Sequence, residues 1–117
     1  MPPIIPMVAA IHDLSGFGRN SLSVVIPILS TMGAQAVSLP TAVLSTHTGG
    51  FEGYAFLDLT DFMRKAIDHW TSLDIRFQCV YSGFLGSPSQ VELVLELIRR
   101  QQSHAPLIVV EIGRAHV

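Results

Sequence analysis

Short, mainly apolar runs alternate along this chain with segments of helical period, and few architectures accept that alternation. Ile5 to Ile11, Ala34 to Leu39, Phe77 to Tyr81 and Pro106 to Val110 read as strands without a polar face. Between them, Leu22, Val25, Ile26, Leu29 and Met32 recur at helical spacing until Gly33 stops the run, with Asn20 or Ser21 as the cap and Pro27 as a kink. Leu59, Phe62, Met63, Ala66, Ile67 and Trp70 form a second stripe over Asp58 to Leu73, and Val91, Val94, Leu95 and Ile98 a third, opened by Ser87-Pro88. A strand apolar on both sides has to be covered on both faces. The order β-α-β-loop-α-β-α-β therefore predicts an α/β fold, a parallel sheet with helices on both faces.

The chain has 117 residues, enough to close a core, and is 49% hydrophobic with 14% charged residues, against about 25% charge in an average soluble chain. Its longest apolar runs, Met7 to Ile11 and Val24 to Leu29, fall far short of the roughly 20 residues of a spanning helix, so no membrane partner is expected. The opening Met-Pro-Pro-Ile-Ile-Pro lacks the basic region of an export signal, and the lone Cys79 has no internal partner; both favour the cytoplasm. A net charge of -2, with basic residues scattered apart from Arg64-Lys65 and Arg99-Arg100, offers no stripe for a phosphate backbone, so nucleic acid is excluded as a partner.

In open α/β sheets the ligand lies outside the carboxyl ends of the strands. His12 to Gly18, Leu44 to Gly50 and Ser82 to Gly86 follow the first three strands, so three polar or glycine-rich loops are expected to converge on one rim. Ser15-Gly16-Phe17-Gly18, just before a helix, could offer N–H groups to an anion; it is neither G-x-G-x-x-G nor a P-loop, and a tight turn explains its glycines about as well. Ser45-Thr46-His47-Thr48-Gly49-Gly50 sets three hydroxyls and an imidazole beside a flexible pair, suited to hydrogen bonding a small polar ring, with a solvated loop as the plain alternative. His12, Asp13 and His47 have no close ligand spacing, so no metal is assigned to them. His69 and His104 read as surface histidines and Trp70 and Phe62 as core, while Tyr54 and Phe56 beside Gly53 could close over a ring as a flap.

Three segments together carry a resemblance to a known family: His12-Asp13-Leu14-Ser15-Gly16-Phe17-Gly18-Arg19, then Leu39-Pro40-Thr41-Ala42-Val43-Leu44-Ser45-Thr46-His47-Thr48-Gly49-Gly50-Phe51, then Tyr81-Ser82-Gly83-Phe84-Leu85-Gly86-Ser87. In order and spacing they resemble bacterial pyridoxal (pyridoxine, pyridoxamine) kinases, from about Met7 to Val110. The resemblance implies the ribokinase-like fold, truncated here to its N-terminal half. It also implies transfer of the ATP γ-phosphate to the 5′-hydroxyl of B6 vitamers, with Mg²⁺ and often a monovalent cation, in a homodimer. By the same resemblance the substrate-binding residues are His12, Asp13, Ser15, Gly16, Leu44, His47, Thr48, Gly49 and Phe84, with Phe84 as an aromatic wall. Many relatives carry serine where this chain has His12.

After the last strand the family continues Asp-Pro-Val-Met-Gly-Asp and adds its ATP-binding half, with the aspartate that serves as general base. This chain reads Glu111-Ile112-Gly113-Arg114-Ala115-His116-Val117, which matches an in-frame translation of a common sequencing adapter, GAG ATC GGA AGA GCA CAC GTC. The expectation is a kinase-domain part over residues 1–110 and an adapter-derived tail over 111–117, with no catalytic residue and no metal ligand in the chain, no kinase activity of its own, and an uncovered, aggregation-prone sheet edge. Two rival readings stand beside it. One is a hydroxymethylpyrimidine kinase, whose first loop also has Asp-x-Ser-Gly. The other is a non-catalytic α/β domain that binds a small molecule, against which the missing G-x-G-x-x-G argues.

Overall fold

A computed structural model describes residues 5–17, 22–46, 52–83 and 85–111. One five-stranded sheet, in the order β3-β2-β1-β4-β5, organises the chain: β1 is Met7–Phe17, β2 Gln35–Thr46, β3 Phe56–Asp58, β4 Cys79–Ser82 and β5 Leu107–Val110. β1, β2, β4 and β5 are mutually parallel, and β3 joins the β2 edge antiparallel. The helices are α1 (Leu22–Thr31), α2 (Thr60–Ser72) and α3 (Pro88–Gln101), and a 3-10 turn, Gln102–His104, leads into β5.

The connections sort the helices onto two faces. From β1 the chain crosses through α1 to β2 on one side; from β2 it returns through α2 to β4 on the other side of β1, then moves outward through α3 to β5. Right-handed crossovers in opposite directions put α1 on one face and α2 with α3 on the other. The packing agrees: Ala9, Ile11, Leu39 and Val80 of the sheet meet Met63 and Ile67 of α2 and Val94 and Leu97 of α3, with Phe77, in one buried core. Residues paired across a parallel ladder share a face, so Ala9 with Val80 and Ile11 with Ser82 face this core, while Ala10 with Tyr81 face the α1 side.

Local signals set the helix ends. α1 stops in a Schellman motif, Ala34 N donating to Leu29 O at 2.9 Å and Gly33 N to Ser30 O at 3.0 Å, with Gly33 at φ 87°, a conformation in which a Cβ is strained. α1 runs through Pro27 without a break. α3 starts as expected from Ser87-Pro88: the Ser87 hydroxyl accepts from Gln90 N at 3.3 Å. Before α2, Asp58 takes the capping role that Leu59 cannot, accepting from Thr60 N at 3.0 Å.

Two expectations are corrected. The first strand does not end at Ile11 but runs on to Phe17, and the second does not end at Leu39 but runs on to Thr46. Pro40 did not stop it, because β2 there takes an irregular step: His12 pairs Pro40, yet Leu14 pairs Val43, so β2 spends one residue more than β1. Along this continued stretch of β2, Thr41, Ala42 and Leu44 are buried. β1, β2 and β3 thus project past the end of β4 as a three-stranded extension. β5 forms the other edge, with Leu107 to Val110 all exposed.

Candidate functional site

The direction of the connections reverses between β1 and β4: the chain leaves β1 toward β2 and leaves β4 toward β5. That reversal marks a switch point at the carboxyl ends of the two strands, where open α/β sheets usually hold their ligand in a crevice. β4 reaches only Ser82, opposite Ile11, and Gly83 N then donates to Ile11 O at 2.9 Å. His12 is the next residue on β1, so it stands where β4 gives way.

His12 is only 6% exposed. Its ring meets Tyr81 edge-on, with centroids 4.6 Å apart and planes at 73°. Its Nε2 is buried and has no hydrogen-bond partner among the described residues, which at a carboxyl-end crevice leaves a polar atom for a ligand to satisfy. Burial holds the imidazole below its ordinary value, against the opposing pull of the Glu111 and Asp13 carboxylates. Glu111 enters by way of β5: its N–H donates to Ser82 O at 2.8 Å and its Oε2 accepts from the Tyr81 hydroxyl at 2.8 Å. Burial, that hydrogen bond and the carboxylate's charge push the Tyr81 phenol up.

Lowered imidazole basicity makes stability depend on pH with a definite sign. The unfolded chain takes up the His12 proton below about 6.5, while the folded chain resists it. The His12 contribution is therefore intact above that value and is lost as pH falls toward the lowered folded value. Urea midpoints measured from about pH 7.5 down to 5 are expected to fall, and His12→Ser is expected to flatten that part of the slope. An equal slope in both proteins would contradict the burial.

The other expected site residues divide into two groups. Asp13, Ser15, Gly16 and Leu44 lie on strands of the extension, not in loops. The Ser15 hydroxyl donates to Asp13 Oδ2 at 3.0 Å; Ser15 and Leu44 are both buried and pair across β1 and β2. Gly16 leaves little room for a side chain against β2, since a Cβ there would lie 3.1 Å from Ser45 O. Thr46 Oγ1, farther along β2, is buried and without a partner among the described residues. His47, Thr48, Gly49 and Phe84, with the capping residues Asn20 and Ser21 and the tail 112–117, lie outside the described residues. Sequence reasoning quoted Tyr81-Ser82-Gly83 but passed over Tyr81 and Gly83 as neighbours of His12. The signal was available: Tyr81 and His12 fall at the carboxyl ends of adjoining strands.

Among the described residues no group of three or more His, Cys, Asp or Glu side chains could hold a metal ion, and no helix is long and apolar enough to cross a membrane.

The sheet order and its switch point are those of an open α/β fold, and comparison with solved structures makes it more particular. The chain is 49% identical, with a TM-score of 0.88 over 96% of its length, to a Bacteroides thetaiotaomicron protein provisionally described as a phosphomethylpyrimidine kinase and crystallised with pyridoxal. It is 31% identical, with a TM-score of 0.83 over 97% of its length, to pyridoxal kinase from Lactobacillus plantarum. Pyridoxal kinase from Leishmania donovani, solved with ADP and pyridoxamine, shares the fold at a TM-score of 0.77 and 16% identity. The chain spans 40%, 40% and 42% of these three structures. It thus has the ribokinase-like fold of the pyridoxal kinases over about two-fifths of their length. No family model and no curated relative matches it.

Proposed function

We propose that this chain is the substrate-holding, N-terminal part of a pyridoxal kinase, the part that grips the ring of a B6 vitamer while the rest of the parent protein binds ATP and moves the phosphate. The observation that carries this reading is the His12 imidazole at the β1–β4 switch point, buried, with its basicity lowered by that burial and with Nε2 lacking a partner among the described residues. A flat heteroaromatic ring with polar substituents suits such an atom, and the neighbouring Tyr81 supplies an aromatic surface. The 49% identity to a protein crystallised with pyridoxal supports the same substrate class. Asp13, Ser15, Gly16 and Leu44 on the extension, with His47, Thr48, Gly49 and Phe84, would complete the enclosure. ATP, Mg²⁺, a monovalent cation and dimer formation belong in this proposal to the parent protein in the cytoplasm. The segment 111–117 is proposed to be adapter-derived; resequencing of the gene across codon 111 tests that, and a natural reading frame through Ala115-His116 would refute it.

Phosphoryl transfer depends on metal, phosphate-cradling groups and a base acting together, so the 117-residue chain is expected to bind the vitamer without phosphorylating it. Calorimetric titration with pyridoxine, whose alcohol in place of an aldehyde avoids imine formation with Lys65, is the suitable test. Binding of pyridoxine in preference to ATP, reduced by His12→Ala, is the expected result. Preferential binding of ATP would favour a nucleotide-binding module instead, and tighter binding of hydroxymethylpyrimidine would favour the pyrimidine kinase. ATP-dependent phosphorylation of pyridoxal by the purified chain would overturn its assignment as the acceptor part alone.

A further inference from the structure

The geometry points to Gly83 as the positioning residue of this site: the absence of a side chain at 83 is what lets His12 keep its place at the β1–β4 switch point, with its ring against Tyr81 and its buried Nε2 unpartnered among the described residues. The inference rests on the reading of that switch point as the ring-binding site and adds to it a residue that the motif comparison did not single out.

A Cβ added at Gly83 would collide with Nδ1 of His12 and lie 2.8 Å from Cε1 and 3.4 Å from Cγ. Those three atoms run along one side of the imidazole, so the added methyl would press on the ring itself and not on the tip of a flexible chain. Neither partner can yield easily. Gly83 is buried and tied to β1 by its N–H bond to Ile11 O at 2.9 Å, and His12 is a strand residue with two side-chain torsions whose ring also contacts Tyr81. An alanine at 83 therefore has to turn the imidazole out of its rotamer and away from Tyr81. The glycine is not required by its own backbone, because its φ lies outside the left-handed region that the positive-φ glycines Gly33 and Gly53 occupy. Its requirement comes from residue 12. A smaller residue at 12, such as the serine many relatives carry, would lift it.

The test compares four forms of the full 117-residue chain: unsubstituted, Gly83→Ala, His12→Ser, and the double variant. Two readouts are used, the His12 ring resonances and their titration by NMR, and pyridoxine binding by calorimetry. Gly83→Ala is expected to shift the His12 resonances and to weaken pyridoxine binding about tenfold, the scale of an enforced off-rotamer side chain. In the His12→Ser background the same alanine is expected to cost almost nothing further in binding or stability. Unmoved His12 resonances, or an equal alanine penalty in both backgrounds, would overturn the proposal. If Gly83→Ala alone does not fold, a folded double variant supports the collision with His12 and an unfolded one refutes it. If the unsubstituted chain does not bind pyridoxine, the ring-binding reading fails, and the NMR comparison still decides whether Gly83 positions His12.

Discussion

Phe77→Ala is expected to destabilise the chain by about 3–5 kcal/mol, read as a fall in the urea midpoint at unchanged slope. Phe77 is 1% exposed and belongs to the buried cluster that joins α2, α3 and the sheet, together with Met63, Ile67, Val80, Val94 and Leu97. Its ring also meets Trp70 edge-on, with centroids 5.5 Å apart, and such a pair contributes beyond its buried area. Truncation removes this contact and leaves a cavity in the cluster that α2 and α3 share with the sheet. Since whole domains are stable by only about 5–15 kcal/mol, Phe77→Ala should leave the chain near its folding threshold. Phe77→Leu, which keeps most of the volume, should cost less than about 2 kcal/mol. A loss below about 1 kcal/mol for the alanine variant would mean that α2 and α3 do not share this core.

The same residue shows what the sequence made legible. Phe77, Val80, Met63, Ile67, Val94 and the two-faced apolar strands were all readable, because burial on both faces imposes a mainly apolar run and burial on one face of a helix imposes its period. The helix start at Ser87-Pro88 was readable for a similar reason: one residue's chemistry sets it. The extension was not. Residues Pro40 to Thr46 pair with β1 through their backbone, and backbone pairing leaves little mark on side-chain hydropathy, while Pro40 reads locally as a stop. Pro40 is tolerated beside an irregular register, a tertiary circumstance that no local pattern reports. The site was legible in part. His12 was found because a histidine closing an apolar strand is conspicuous; Gly83 was not, because its importance lies in the space another residue's ring occupies.

Gln90→Leu is expected to cost about 1 kcal/mol, the loss of a bridging amide whose acceptors keep other donors, and to loosen the strand extension more than the core. Gln90 stands in the first turn of α3, 5% exposed. Its Nε2 faces three acceptors: Thr41 O at 3.0 Å, Thr60 Oγ1 at 3.1 Å and Asp58 Oδ1 at 3.3 Å. One amide thereby ties α3 to the start of α2, to the end of β3 and to β2 at its irregular step. Leucine fills a similar volume and supplies no donor. Thr41 O retains the bond from Leu59 N at 3.1 Å, which limits the loss, and the Asp58 carboxylate keeps Thr60 N and the Thr60 hydroxyl. Gln90→Glu should cost more than leucine, because it replaces the donor with a second carboxylate directed at Asp58 and at a carbonyl. In both variants the amides that pair β2 with β3, around Ala42 to Leu44 and Phe56 to Asp58, should exchange faster with deuterium, while those of Val80 and Ala9 change little. Uniform acceleration across the sheet would show that Gln90 supports the whole fold and does not specifically anchor the strands that carry Ser15 and Leu44 to the rim of the crevice.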